Sequence, residues 1–195
     1  MTQNDDMTRN RAAGRPGSRS AGSGARAVLG AATVANGLVA GVWYAYATSV
    51  MPALARSGDR IYVEVMQNIN EVIQNPVFFA GFFGALILAA VAAWQQRRSP
   101  ARWWVRAALV LYAAVLLVTM AVNIPLNDAL AAAGNPARIA DPAAVRERFE
   151  DPWVVWNVVR LVLSAAALAC LWRATAPVRQ TSAYLVSAAG SSASR

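Results

Sequence analysis

The chain has 195 residues, of which 57% are hydrophobic, and a formal net charge of +8. A mean hydropathy of +0.36 excludes an ordinary soluble globule, while the length fits a single domain. The sequence contains no histidine and one cysteine, which excludes a Ser-His-Asp triad, haem ligation by histidine, Cys-x-x-Cys redox or zinc sites and an internal disulfide.

The first predicted elements are a polar tail and a long apolar segment. Residues 1–26 are rich in Gly, Ser, Asn and Arg, and we predict that they are disordered because they have too little apolar surface to bury a core. Residues 27–50 are apolar, and this run is too long for the hydrophobic part of a cleavable signal peptide. We expect it to remain as the first transmembrane helix.

Three further apolar segments follow at residues 77–94, 105–124 and 153–172. With about 18–24 residues each, all four segments are long enough to cross a bilayer. Backbone inside a bilayer must satisfy its own hydrogen bonds, so the segments are predicted to be helices. Residues 27–173 therefore form one four-span membrane domain, and a second disordered tail is predicted over residues 174–195.

The first external connection, residues 51–76, has apolar side chains at helical spacing. This pattern predicts an amphipathic helix, and it comprises Ile61, Val65, Ile69 and Val72. Pro52 is expected to break the first spanning helix or to kink its end.

The second external connection, residues 125–152, contains two further helix signals. Asp141-Pro142 is typical of the start of a helix, and Asp151-Pro152 is expected to reset the chain before the fourth span. The predicted fold is therefore all-α, a four-helix transmembrane bundle with short amphipathic helices in the two extracytoplasmic loops.

The charge distribution predicts the orientation of the bundle. Twelve arginines lie in the two tails and beside the connection between spans two and three, whereas five lie in the other two connections together with eight acidic residues. By the positive-inside rule, both termini are cytoplasmic and the protein spans the plasma membrane. The predicted partner of its surface is the lipid bilayer, and nucleic acid is not expected; the oligomeric state is left open.

Arg160 is a charge inside an apolar span. A guanidinium near the middle of a membrane costs roughly 3 kcal/mol on insertion scales, so such a residue faces a protein interior or a watery cavity and marks a functional site by default. The alternative is an arginine that pairs with a carboxylate and locks two helices together.

Three segments supply polar residues at the external end of the bundle. Each group has an alternative interpretation, because asparagines cap helices, Trp153 suits an interfacial belt and Asp128 suits solvent. Their joint occurrence predicts a shared pocket. The groups are Asn68, Glu71 and Asn75; Asn123, Asn127 and Asp128; and Trp153, Asn157, Arg160 and Ser164.

Three motifs in these segments resemble the anthrone-oxygenase-like family of membrane proteins. They are Met66-Gln67-Asn68-Ile69-Asn70 with Asn75-Pro76-Val77-Phe78, Asn123-Ile124-Pro125-Leu126-Asn127-Asp128, and Trp153-Val154-Val155-Trp156-Asn157-Val158-Val159-Arg160. The resemblance covers about residues 27–173. It implies a four-span helical protein whose relatives include oxygenases that convert anthrones to anthraquinones without metal or flavin.

The resemblance also implies which positions form the site. The motif positions are Asn70, Asn75, Asn123, Asn127, Trp156, Asn157 and Arg160. In an oxygenase, Arg160 with Asn123 or Asn157 is expected to stabilise an oxyanion, Trp153 and Trp156 to stack on a flat aromatic substrate, and Glu71 or Asp128, partly buried, to act as the base. The expected co-substrate is O₂, with no cofactor and no metal.

The alternative function is a non-enzymatic four-span protein, either a small-molecule binder or a scaffold or transport accessory subunit. A cavity lined by Arg160, Asn123 and the tryptophans favours ligand chemistry, whereas a solid bundle with Arg160 paired to a carboxylate favours a structural role. For the enzyme we expect the helix in residues 59–74 to cover the polar end of the bundle. Asn68, Glu71 and Asn75 are then expected to face inward.

Overall fold

The computed structural model describes the backbone of residues 17–176 and the side chains from residue 23 onward. All regular secondary structure in this range is helical. Two π-helical segments, Tyr46–Val50 and Thr119–Asn123, and a 3-10 turn, Pro136–Arg138, lie between the α-helices. The α-helices are α1 (Gly17–Ala45), α2 (Met51–Leu54), α3 (Asp59–Val72), α4 (Pro76–Gln95), α5 (Arg102–Val118), α6 (Ile124–Ala132) and α7 (Pro142–Thr175).

Four helical stretches are long and apolar enough to cross a membrane, which confirms the predicted number of spans. They are Ser23–Leu54, Pro76–Gln95, Arg102–Ala132 and Pro142–Thr175. The chain is therefore a multi-pass membrane protein, and large apolar side chains such as Leu38, Ile87 and Val110 lie exposed on the outside of the bundle. The predicted tails fall outside the described residues over 1–16 and 177–195, while α1 begins at Gly17, before the predicted start of the first span.

The spanning helices form a closed ring. Helix α1 packs against α4 and α7, and α5 packs against the same two helices. Their shared core is rich in small and aromatic residues, among them Ala32, Ala85, Ala108 and Tyr112. Small residues allow close approach of helices that have no hydrophobic driving force between them in lipid.

The predicted break at Pro52 does not occur, whereas the alternative, a kink at the end of the first helix, stays a prediction. Pro125 behaves in the same way as Pro52. Each proline follows a π-helical segment, Tyr46–Val50 or Thr119–Asn123, and the helix continues beyond it into α2 or α6. A proline ring clashes with the carbonyl four residues earlier and has no N–H to donate. A wider π turn before the proline accommodates both defects, so the helix is not interrupted.

The prediction that Asp151-Pro152 resets the chain is also wrong, because α7 runs without a break from Pro142 to Thr175 and contains Pro152. Its start is as predicted, since the Asp141 carboxylate accepts a hydrogen bond from the Ala144 N–H at 3.0 Å. Pro152 and Arg148, four residues earlier, both lie on the exposed face of α7. The Arg148 carbonyl that loses its helical partner is therefore on the outer face of the helix, where solvent satisfies it.

The helix ends beyond the predicted spans form a second packed region, which we call the headpiece. It consists of α2, α3, α6 and residues 142–151 of α7, so the second connection contains extensions of spans three and four in place of a separate short helix. Its core comprises Met51, Tyr62, Val63, Met66, Leu130 and Phe149, together with Trp153 from the next turn of α7. Burial of these side chains fixes the headpiece on the end of the bundle.

Helix α3 packs into the headpiece core through a different face from the one predicted. Tyr62 and Met66 are fully buried, with Ile69 packed beside them, whereas Asn68 and Glu71 are exposed. The reason is hydrophobic, because the Tyr62, Met66 and Ile69 stripe at i, i+4 and i+7 buries more apolar surface than the asparagine face. Helix α3 does cover the end of α7, but it directs different residues inward.

Candidate functional site

Arg160 lies at the junction between the two cores. Trp43 belongs to the bundle core and Trp153 to the headpiece core, and the guanidinium of Arg160 contacts both indole rings. Its Cζ atom is 4.0 Å from the ring centroid of Trp43 and 5.3 Å from that of Trp153. With 3% of its surface exposed, Arg160 is held by cation–π contacts inside the protein.

Arg160 has no carboxylate partner within the described part of the chain. The ion pairs found there are those of Arg146 with Asp59 and Glu150, both in the headpiece region. Arg160 donates from Nη2 to Oδ1 of Asn157 at 3.2 Å, and its Nε atom is buried without a hydrogen-bond partner. The interpretation of Arg160 as one half of an ion-paired helix lock therefore does not describe this geometry.

The neighbouring amides are fixed by contacts between helices. The Asn157 Nδ2 atom donates to the Trp43 carbonyl at 3.1 Å, which joins α7 to α1. The Trp153 Nε1 atom donates to Oδ1 of Asn127 at 2.9 Å, which joins α7 to α6. These contacts fix the side chains of α7 that flank Arg160.

The same register brings Asn123 to the level of Asn157. Asn123 precedes Asn127 by four residues, Asn157 follows Trp153 by four residues, and the two helices run in opposite directions, so one turn inward from the Trp153–Asn127 bond brings the two asparagines to one level. We call Trp43, Asn123, Trp153, Asn157 and Arg160 the junction cluster. Trp153, Asn157 and Arg160 come from α7, Asn123 comes from the π-helical segment between α5 and α6, and Trp43 comes from α1.

The junction cluster has more hydrogen-bonding capacity than the protein uses. Both side-chain polar atoms of Asn123 and the Nε1 atom of Trp43 are buried and have no partner among the described residues. An unsatisfied buried polar group costs about 1–3 kcal/mol, so native proteins rarely leave several together without a ligand or ordered water. The unused donors and acceptors, with the Arg160 charge, suit a polar group of a bound molecule.

An open pocket of about 460 Å³ lies next to the junction cluster. Its lining is mostly apolar and comprises Tyr46, Val65, Asn68, Ile69, Val72, Ile73 and Asn75. Tyr46 is shared by the pocket and the cluster, because it lines the pocket and its ring packs on Trp153 with centroids 5.5 Å apart. A volume of this size accommodates a small polycyclic ligand.

Three residues with predicted site roles make no hydrogen bond or cation–π contact with Arg160 in the described part of the chain. Asn75 caps α4, with Oδ1 accepting from the Phe78 N–H at 3.0 Å, and Asn70 is half-buried with its Nδ2 atom unpaired among the described residues. Trp156 is half-buried on α7, one residue before Asn157. Asn75 thus has the structural role of a helix cap, although its side chain also lines the pocket.

The two predicted bases are not partly buried. Glu71 at the end of α3 and Asp128 in α6 are exposed, and the carboxylate of neither makes a hydrogen bond or ion pair with a described residue. The helical spacing of the asparagines placed Glu71 on an inward face that the Tyr62 stripe in fact occupies. Burial therefore supplies no activation of either carboxylate.

Sequence patterns did not identify three residues that the fold brings to this region. Trp43, Tyr46 and Asn36 all lie in the first spanning helix, and Trp43 and Asn36 are buried at i and i+7 of one face. A polar residue such as Asn36 inside an apolar span was the available signal, because the bilayer penalises it. Among the described residues no group of three or more His, Cys, Asp or Glu side chains is arranged to hold a metal ion.

A family model described as anthrone oxygenase matches residues 72–170, which is 99 of the 195 residues. The chain belongs to the anthrone oxygenase family. Neither a curated protein nor a solved structure matches the chain.

The family match covers four of the five residues of the junction cluster. The matched range begins at Val72 and ends within α7, so it includes Asn123, Trp153, Asn157 and Arg160. It leaves out Trp43, which the fold supplies from α1. The resemblance seen in the sequence motifs is thereby confirmed at the level of the family.

Proposed function

We propose that this member of the anthrone oxygenase family is a cofactor-independent monooxygenase that oxidises a flat aromatic ketone of the anthrone class with O₂. The observation that carries the proposal is Arg160, a buried guanidinium between two indole rings that has no carboxylate partner among the described residues. Such a charge suits a ligand that becomes an anion during the reaction, as an anthrone does.

The proposed chemistry is balanced without a further reductant. Loss of a proton from the CH₂ group of the anthrone gives an anthrolate, which passes one electron to O₂. The resulting radical pair combines to form a C–O bond, and protonation gives a hydroperoxide at that carbon. Loss of the remaining C–H proton and cleavage of the O–O bond then release water and leave the second carbonyl of the anthraquinone.

Arg160 supplies the electrostatic part of this mechanism. Its unpaired Nε atom and the amide of Asn123 donate hydrogen bonds to the ketone oxygen, which becomes the oxyanion of the anthrolate. One such donor is worth about 3–4 kcal/mol, which lowers the pKa of the bound anthrone by about 2–3 units. Trp43 and Trp153 hold the guanidinium in position through their cation–π contacts.

The proton leaves through the pocket side of the cluster. Glu71 and Asp128 are exposed, so we do not assign the base to either of them. Tyr46 lines the pocket and packs on Trp153. In this proposal a water molecule that enters the pocket accepts the proton beside Tyr46. The stabilised oxyanion lowers the barrier for this transfer, and a buried carboxylate is not required.

The proposed setting is the plasma membrane, with both termini in the cytoplasm and the headpiece outside. The arginine distribution supports this orientation. The substrate is an apolar molecule that concentrates in the bilayer, and it reaches the pocket from the side of the bundle between α3 and the first spanning helix.

A second candidate is a binder of flat aromatic molecules that does not turn them over. The exposure of both predicted carboxylates favours it, since the described residues then place no carboxylate in the junction cluster. Such a protein binds the same ligands through Arg160 and the indole rings. Catalytic measurements separate the two candidates.

The test uses purified protein in lipid nanodiscs with anthrone as substrate. Acceleration over empty nanodiscs, with one O₂ consumed for each anthraquinone formed, supports the oxygenase. Tight binding of anthrone without acceleration supports the binder and overturns the oxygenase. A metal chelator is included in each assay. The proposed reaction uses no metal, so the chelator is expected to leave its rate unchanged.

A further inference from the structure

The end of the bundle opposite the headpiece carries a group of arginines, which we call the basic end. They come from the connection between α4 and α5, the start of α5 and the end of α7. The group comprises Arg97, Arg98, Arg102, Arg106 and Arg173. Arg102 is half-buried and the other four are exposed, so five positive charges are concentrated at one end of the membrane domain.

The described carboxylates lie at the other end of the bundle. Eight of the ten acidic residues are described, and they lie within residues 59–71 and 128–151, in or beside the headpiece. The two ion pairs found among the described residues are both made by Arg146 in the headpiece region. The arginines of the basic end thus make no ion pair with a described residue, and their charge is free to bind an anion from outside the chain.

Three tryptophan rings contact four of these guanidinium groups. The pairs, with the distance from Cζ to the ring centroid, are Arg97–Trp94 at 4.7 Å, Arg173–Trp104 at 5.7 Å, Arg102–Trp103 at 5.3 Å and Arg106–Trp103 at 5.0 Å. A cation–π contact positions a guanidinium without neutralising it. Trp103 contacts two like charges that repel each other, and an anion bound between them stabilises both.

Trp103 lies on the outer face of α5, since Val105 and Ala108 are buried on the opposite face. Val110, 68% exposed, follows Trp103 by seven residues and lies on the same face about 10 Å further along the helix. One leaflet contributes about 15 Å of hydrocarbon, so Val110 lies at the depth of acyl chains when Trp103 lies at the level of the headgroups, where tryptophan is enriched. A lipid beside this face meets cations at its headgroup and apolar side chains along its tails.

We propose that Arg102, Trp103 and Arg106 bind the phosphate of an anionic glycerophospholipid whose acyl chains lie along the outer face of α5. A guanidinium group forms paired hydrogen bonds with phosphate oxygens. The uncompensated charge selects an anionic headgroup such as phosphatidylglycerol, because the cationic group of a zwitterionic lipid is repelled by the arginines. The proposed orientation puts this end at the cytoplasmic leaflet, whose anionic lipids attract arginine-rich segments.

The experiment counts lipids bound to the full chain by native mass spectrometry from detergent micelles, with phosphatidylglycerol and phosphatidylcholine of identical acyl chains. The wild type is expected to bind phosphatidylglycerol about tenfold more tightly, because each arginine near an anionic group adds to the affinity. Arg102→Gln/Arg106→Gln is expected to lose most of this preference. The matched control, Arg56→Gln/Arg138→Gln, removes the same charge from exposed positions at the headpiece end and retains the preference.

A competitor separates a lipid site from a phosphate site. Glycerol phosphate has the charged group without the acyl chains, so it is not expected to displace the lipid. Displacement shows that the arginines bind a free phosphate and overturns the lipid assignment.

Three further results overturn the site. They are equal affinity of the wild type for the two lipids, a preference that survives in Arg102→Gln/Arg106→Gln, and an equal loss in the control variant, which means that only net charge matters. None of these measurements involves anthrone, so the lipid site and the oxygenase succeed or fail independently.

Discussion

The guanidinium of Arg160 lies over the indole of Trp43, with Cζ 4.0 Å from the ring centroid. The two residues come from α7 and α1, and the same two helices are joined by the hydrogen bond from Asn157 to the Trp43 carbonyl. A desolvated cation–π contact of this kind is worth about 2 kcal/mol. The indole face stabilises the guanidinium but, unlike a carboxylate, does not neutralise it. The full positive charge is therefore available to an anionic ligand.

Arg160→Lys is expected to keep the fold and to reduce kcat for anthrone oxidation by about 10²–10³, the usual effect of losing an oxyanion donor. Lysine keeps the charge but has no planar set of donors, so it does not replace the Nε and Nη hydrogen bonds. Kinetics and thermal unfolding in detergent are measured together. The matched control is Arg173→Lys, which changes an exposed arginine on the same helix and leaves kcat unaltered.

A purely structural Arg160 gives the opposite pattern. In that case Arg160→Lys lowers the unfolding temperature, while ligand affinity and turnover stay at the level of the Arg173→Lys control. This outcome removes Arg160 from the mechanism.

The four spans follow from the sequence because a bilayer demands a minimum length of apolar helix. That the helices continue past Pro52, Pro125 and Pro152 could not be predicted from the sequence, because a proline in isolation is expected to end or kink a helix. Contacts between helices stabilise the continuous form. The headpiece core and the π-helical turns hold these helices together beyond the membrane segment.

The residues of the candidate site could likewise be predicted only in part. The Trp153, Asn157, Arg160 and Ser164 stripe is buried, as its spacing on one helix predicts. Trp43 was missed because its contact with Arg160 depends on how α1 packs against α7. Glu71 was expected to face inward because the apolar stripe of α3 was assigned to Ile61 and Val65 in place of Tyr62 and Met66.

Two buried tyrosines are expected to respond differently to loss of the hydroxyl. The Tyr62 hydroxyl has no partner among the described residues, and burial raises its pKa above the ordinary value, so it stays neutral. The Tyr112 hydroxyl donates to the Phe82 carbonyl at 2.8 Å. Tyr62→Phe should leave the unfolding free energy unchanged or higher, whereas Tyr112→Phe should lower it by about 1 kcal/mol.

The two variants are compared by thermal unfolding in one detergent. Equal losses of stability, or a larger loss for Tyr62→Phe, contradict the assignment of the unpaired hydroxyl.

Arg146→Ala is expected to destabilise the headpiece by about 2–3 kcal/mol, because several groups lose a charged hydrogen-bond partner. The side chain of Arg146 contacts the carboxylates of Asp59 at 2.9 Å and Glu150 at 2.5 Å, the carbonyls of Ser57 and Ala55, and the ring of Tyr62. Arg138→Ala is the matched control, since it removes the same charge from an exposed position in the same connection. Similar unfolding temperatures for the two variants would show that Arg146 does not hold the headpiece in place.

The orientation is tested by labelling in intact cells. Single cysteines at Gly58 and Pro100, both exposed, are introduced with Cys170 replaced by serine. A membrane-impermeant maleimide is expected to label the Gly58→Cys protein and not the Pro100→Cys protein, because the positive-inside rule puts the arginine-rich connection in the cytoplasm. The reverse pattern moves the headpiece and the pocket to the cytoplasmic side.

The central claim is that the junction cluster stabilises the anionic form of a bound aromatic ketone. The most direct measurement is an anaerobic titration of anthrone bound to the protein in nanodiscs, followed by the visible absorption of the anthrolate. Without O₂, proton loss is observed separately from oxidation. The account predicts that the midpoint for bound anthrone lies about 2 units below that in empty nanodiscs and returns to that value in Arg160→Met. An unshifted midpoint in the wild type, or the same shift in Arg160→Met, contradicts it.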